Sequence, residues 1–463
     1  MHRLNTLAGA LTLAFLLVAG AGFAQVSTGA ANFATYVAFG DSLTAGYSNG
    51  SINERFQRNS YPALIYRQAT GKTTGFEQPL VSAPGLPGAL RLTGLFPTMI
   101  TPTPGGGQPI NLNLQRPYNN MAIPGASLHD LLTKTASTSA SDPTDLVLRR
   151  LGATQLQQGL SLKPTFVSLW IGNNDALAAA TSGVAVEGVT LTPAAQFDAE
   201  YRAVVNAITV TAGVKQLVVA NIPDVTSIPF VTTIPRFLVN PRTNQLVLAP
   251  GGSPIPLIGP DGPLQAGDFV LLTASAELAT GRGIPVAFGG SGVPLSNNAV
   301  LSAAEAATIK AHVDAYNTTI RTVATEKSAA FVDANSVLRN LATSGIRVGG
   351  ISYSSAFLTG GIFGYDGVHP TPFGYAYIAN LFIDAINATY GGDIPEVDLY
   401  PFVFGPLPSA TAAISSDKAA SAGDLTRYVF TPGARRSLLL SLNVPKWIVD
   451  GTKPPRKPRH PRG

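Results

Sequence analysis

Four short apolar runs limit what this chain can fold into: "YVAFG" from residue 36, "TFVSLWIG" from 165, "QLVVANI" from 216 and "AAFVD" from 329. Their length and lack of alternation read as strands buried on both faces, and such strands belong in a parallel sheet with a cover on each side. Helical patterns supply the cover. Thr192 and Pro193 predict a cap and a first-turn proline, after which Phe197, Tyr201, Val204 and Ile208 fall on one face. Ser302 and Glu305 predict a capping box ahead of Ile309, Val313, Tyr316 and Ile320, and a last helix carries Tyr375, Ala379, Phe382 and Ile386 on one side. The expected fold class is therefore α/β, with a parallel sheet between helical layers.

Two segments interrupt this pattern. Residues 49–118 and 223–300 are rich in Gly, Pro, Thr and Asn and are too long for ordinary connections, so they read as insertions: surface decoration, or walls around a site. Phe96, Met99, Ile100, Phe230, Phe237 and Leu238 within them are candidates for an acyl groove, or simply for loop packing. The main domain is expected over 25–395 and a C-terminal extension over 396–463, in which "RYVFTPGARRSLLLSLNVPKWIV" is apolar without a clean period. Residues 1–24 read as a secretory signal, with Arg3, the apolar run "LAGALTLAFLLVAGAG" and small residues before Gln25, so an exported protein, periplasmic or extracellular, is expected.

The 463 residues contain no cysteine, which excludes disulfides, thiolate metal sites and a Cys nucleophile. The net charge of +5 is misleading. Arg3 and five bases in the last 13 residues, Lys453, Arg456, Lys457, Arg459 and Arg462, leave 25 bases against 26 acids elsewhere. A balanced body without interleaved basic and aromatic residues argues against nucleic-acid binding. The basic, Pro-rich tail reads as a solvated extension or as a weak contact with an anionic envelope surface.

In "YVAFGDSLTAGY", Ser42 reads either as a helix cap or as a nucleophile. A serine nucleophile needs a base, usually His, and the base needs an orienting acid. Of five histidines, His2 and His460 lie at the ends, while His129 and His312 read as solvated helix positions. His369 differs, because "DGVHP" places Asp366 three residues before it on a loop entering a helix. Donors for a developing oxyanion are found in two places. "NNMAIPGASLHDLL" sets Gly125 at a turn ahead of a helix, and "LWIGNND" sets Asn173, Asn174 and Asp175 at the carboxyl end of an apolar strand. Taken singly, each of these residues also suits a turn or a cap.

Taken together and in order, "GDSL" at 40–43, "NMAIPGAS" around Gly125, "IGNND" at 171–175 and "DGVHP" at 366–370 resemble the four signature blocks of the SGNH or GDSL hydrolase superfamily, across roughly residues 34–392. The resemblance implies a flavodoxin-like three-layer α/β/α sandwich. It implies Ser42 as nucleophile, His369 as base and Asp366 as its orienter. It further implies an oxyanion hole made of the Ser42 and Gly125 N–H groups and the Asn174 amide, with no metal or organic cofactor. The expected activity is hydrolysis of carboxylic esters of lipids or short acyl chains through an acyl-enzyme. Alternatives are an envelope polysaccharide O-deacetylase or acyltransferase using the same triad, and a non-catalytic binding protein on this scaffold.

Overall fold

The computed structural model describes residues 26–95, 98–136, 143–149, 151–240, 243, 245–404, 429–430, 432–442 and 444–452. The expected signal segment, nearly all of the basic tail and Phe96 lie outside the described residues.

All four apolar runs are strands of one parallel sheet: β1 (Tyr36–Gly40), β2 (Phe166–Trp170), β3 (Gln216–Ala220) and β4 (Ala330–Val332), in spatial order β1-β2-β3-β4. Beyond β1, the backbone at Asn119–Met121 runs parallel to it. The Ala38 N–H donates to the Asn119 carbonyl and the Met121 N–H to the Ala38 carbonyl, both at 2.9 Å. The order of segments therefore reverses at β1, and in open α/β sheets ligands bind outside the carboxyl ends of strands at such a reversal.

Period-two alternation divides the strand residues between two layers. Val37, Phe39, Val167, Leu169, Leu217 and Val219 face one core cluster. Helices α3 (Leu128–Thr133), α4 (Gln155–Ser161), α6 (Ala194–Asn206) and α7 (Ala303–Glu326) pack into the same cluster. Tyr36, Ala38, Phe166, Trp170, Val218, Ala220, Ala330 and Val332 face the opposite cluster with α2 (Tyr61–Thr70) and α8 (Pro372–Tyr390). The result is the expected α/β/α sandwich. Two short helices lie at the sheet's carboxyl edge, α1 (Ser42–Ala45) after β1 and α5 (Asn174–Ser182) after β2.

Three expectations need revision. The segment 49–118 is not all insertion, because α2 belongs to the second helical layer and stacks Tyr61 on Phe382 with ring centroids 4.4 Å apart. Thr192 does not cap α6. Pro193 occupies the cap position, and the Thr192 hydroxyl donates to Asp175 at 2.7 Å. The stretch from 429 has structure despite its unclear period. Val429–Phe430 pairs in parallel with Thr98–Pro102, and Leu438, Leu439 and Leu442 enter the first core cluster.

Candidate active site

At its end β1 runs so close to β2 that a Cβ on Gly40 would lie 2.5 Å from the Trp170 carbonyl oxygen. Asp41 takes the cap position of α1, its carboxylate accepting the Leu43 N–H at 3.0 Å. Ser42 is thereby released from capping, and as the first residue of α1 it is 5% exposed.

The Ser42 hydroxyl donates to His369 Nε2 at 2.9 Å, and the Nδ1–H of the same ring donates to Asp366 Oδ2 at 3.0 Å. The carboxylate fixes the ring proton on Nδ1 and leaves Nε2 an acceptor. Asp366 is itself held by backbone donors, with Oδ1 accepting the Val368 and His369 N–H groups at 2.9 Å and Oδ2 the Gly50 N–H at 2.6 Å. Gly50 comes from the segment read as an insertion. Next to it, Asn49 Oδ1 accepts the Tyr365 N–H at 2.8 Å, and the Tyr47 ring packs on the imidazole with centroids 4.6 Å apart. This clamp on the acid loop was not predicted. An Asn-Gly pair after a catalytic-type serine was its only trace in the sequence.

Gly125 lies at φ +83° in the turn between the Asn119–Met121 segment and α3, a conformation that favours glycine. Asn174 opens α5 and donates one amide hydrogen to the Ala126 carbonyl at 2.9 Å, beside Gly125. The amide's second hydrogen remains for another acceptor. Ser42, Gly125 and Asn174 thus lie just beyond the carboxyl ends of three adjacent sheet segments. His129 and His312 are elsewhere, on helices, paired with Glu200 and with Glu187 of a loop. Among the described residues, no group of three or more His, Asp or Glu is placed to hold a metal ion. Two residues expected for an acyl groove, Ile100 and Phe230, are fully buried in the first core cluster and offer no surface to one.

Three buried carboxyls respond to the site in opposite ways. Burial alone would raise Asp366, but the charge of His369 and hydrogen bonds from its ring, its backbone and Val368 outweigh it and hold the carboxyl below its ordinary value. Burial pushes Asp41 up to about 6, against hydrogen bonds from Asn173 and Leu43. Asp175 is pushed up to about 7 by burial, against hydrogen bonds from Thr192 and Leu128, with Asp130 and Glu200 adding to the rise.

The signs give a stability profile. A carboxyl raised in the folded state binds its proton more tightly there, so its contribution is lost as pH rises from about 4 through the folded value. Asp41 and Asp175 therefore weaken the fold between about pH 4 and pH 7. Asp366 does the reverse, losing its contribution as pH falls below about 4. At roughly 1.4 kcal/mol per unit, ionising Asp175 costs on the order of 4 kcal/mol by pH 8. Through Asp41 and Asp175 the melting temperature is expected to fall as pH rises from about 4 toward 8. Asp175→Asn should flatten that fall in thermal unfolding across the pH range, and an equally steep fall in the variant would sink the assignment.

The fold and this constellation define a carboxylic ester hydrolase. More narrowly, the sequence pattern of the GDSL-like lipase/acylhydrolase family matches residues 36–382, and the chain belongs to that family. No curated protein is significantly similar to the chain. Solved structures similar to it include LAE5, an α/β hydrolase enzyme from the metagenome of Lake Arreo, at 14% identity over 76% of this chain and 95% of that one, TM-score 0.34. An acetylxylan esterase from Geobacillus stearothermophilus matches at 14% identity over 76% and 93%, TM-score 0.34. An extracellular lipase from Streptomyces rimosus matches at 17% over 76% and 98%, TM-score 0.32.

Proposed function

We propose that the protein is an exported serine esterase that cleaves carboxylic esters through an acyl-enzyme. The observation that carries this reading is the unbroken relay from the Ser42 hydroxyl through both nitrogens of His369 to Asp366. Ser42 attacks the ester carbonyl while His369 Nε2 takes its proton. The imidazolium that forms is stabilised by Asp366 and returns the proton to the leaving alcohol. Water repeats the sequence on the acyl-enzyme, with Nε2 again as base. The oxyanion of each tetrahedral intermediate is held by the Ser42 and Gly125 N–H groups and the free hydrogen of the Asn174 amide.

Ser42 and His369 are 5% and 1% exposed, and Ile100 and Phe230 are built into the core, which favours short acyl groups over long chains. Purified mature protein is expected to hydrolyse p-nitrophenyl acetate and butyrate faster than the palmitate ester. A maximum at palmitate would replace the short-acyl reading with a lipase. Turnover of acetylated glycan alone would replace it with a deacetylase.

A further inference from the structure

Asn173, Asn174 and Asp175 are consecutive, yet their side chains reach separate parts of the site. Asn173 Nδ2 donates to Asp41 Oδ2 at 2.8 Å, on the cap of the helix that begins with Ser42. Asn174 Nδ2 donates to the Ala126 carbonyl, as described above. Asp175 Oδ2 accepts the N–H of Leu128, the first residue of α3, at 2.9 Å, and its Oδ1 accepts the Thr192 hydroxyl at 2.7 Å. All three residues are buried.

The turns bearing Ser42, Gly125 and Asn174 follow different sheet segments, and the backbone ladder between β1 and the segment before Gly125 reaches only as far as the bond from the Ile123 N–H to the Gly40 carbonyl at 3.2 Å. Their mutual spacing therefore depends on side chains, and a displacement of about 1 Å between reacting groups costs up to ~10²-fold in rate. Asn173 is informative here. Its Oδ1 is buried and has no hydrogen-bond partner among the described residues, so the side chain carries an unsatisfied acceptor while making its bond to Asp41. Polar side chains buried under that penalty call for an explanation beyond packing.

We propose that Asn173 and Asp175 are positioning residues for ester hydrolysis. Asn173 fixes the Ser42 turn, and Asp175 fixes the Gly125 turn, against the helix that carries Asn174. Neither touches the substrate, and the inference rests on the oxyanion assignment made under Proposed function.

The test measures kcat and KM on p-nitrophenyl acetate for Asn173→Ala, Asp175→Ala and Asp175→Asn, well below each variant's melting temperature. Asn174→Ala calibrates it, with an expected loss on the order of 10² to 10³ in kcat. Asn173→Ala and Asp175→Ala are each expected to lower kcat about 10- to 100-fold with KM within about 2-fold. Asp175→Asn is expected to recover to within about 3-fold, because its carboxamide oxygen still accepts from Leu128 and its nitrogen donates to Thr192. Wild-type kcat in a folded Asp175→Ala, or a loss confined to KM, would overturn the proposal. Should Asp175→Ala not fold, the same criteria applied to Asn173→Ala decide. An unchanged kcat in Asn174→Ala removes the oxyanion assignment and the proposal with it. A loss in Asn174→Ala alone removes only the positioning roles.

Discussion

Ser42→Ala is expected to lower kcat for any ester substrate by on the order of 10⁴ or more, with KM nearly unchanged. The substitution deletes the one oxygen that gives up its proton to His369 and forms the bond to the acyl carbon. What remains is whatever the oxyanion donors and the bound geometry supply to attack by water. The fold should tolerate the change. The backbone of Ser42 keeps its place, its carbonyl still accepting the Tyr47 N–H at 2.9 Å, and the cap of α1 belongs to Asp41. Equal melting temperatures for the two proteins would tie the lost activity to chemistry. Ester hydrolysis by Ser42→Ala as fast as by the parent protein would end the serine mechanism.

His369→Ala should cost about as much, and combining it with Ser42→Ala should cost little more, since the two act as one unit. The imidazole has no substitute nearby. Among the described residues, the remaining histidines, on helices, are tied to Glu200 and Glu187.

Much of this arrangement was legible in the sequence, for reasons that also explain what was not. Buried strands announce themselves as short, mostly apolar runs without alternation, and Ser42, Gly125, Asn174, Asp366 and His369 sit in short blocks whose local pattern survives translation into turns. Helix α2 was hidden by composition: Gly- and Pro-rich neighbours outweighed Ser60, Pro62 in its first turn and Gly71 at its left-handed end, which together mark a helix. The clamps were hidden by distance. Gly50 and Asp366 are 316 residues apart, as are Asn49 and Tyr365, and Asn173 reaches back 132 residues to Asp41. Pairings of this kind carry no local period, and a lone Asn or Gly in a loop suits a turn equally well. The cap shows the limit most clearly, because Asp41 and Ser42 are both good capping residues and only the structure separates their duties.

Asp366→Asn is the sharper test of the relay, because the change is nearly isosteric and acts through the position of one proton. The carboxylate accepts four N–H groups, two on each oxygen. An amide nitrogen cannot accept any of them. Placed at Oδ1, it would face the backbone N–H groups of Val368 and His369 together. Placed at Oδ2, it would oppose only the Gly50 N–H, and it would donate to His369 Nδ1. The second arrangement carries less repulsion, and it requires a ring whose proton sits on Nε2. That tautomer points a donor at Ser42 and cannot take the hydroxyl proton. The expected loss is roughly 10⁴-fold in kcat, with KM little changed and the distance from Ser42 to the ring preserved. Nitrogen-15 shifts of the imidazole should show the proton on Nδ1 in the parent protein and on Nε2 in the variant. A variant with full kcat, or one whose proton stays on Nδ1 while activity is lost, would show that Asp366 does not work by fixing the tautomer.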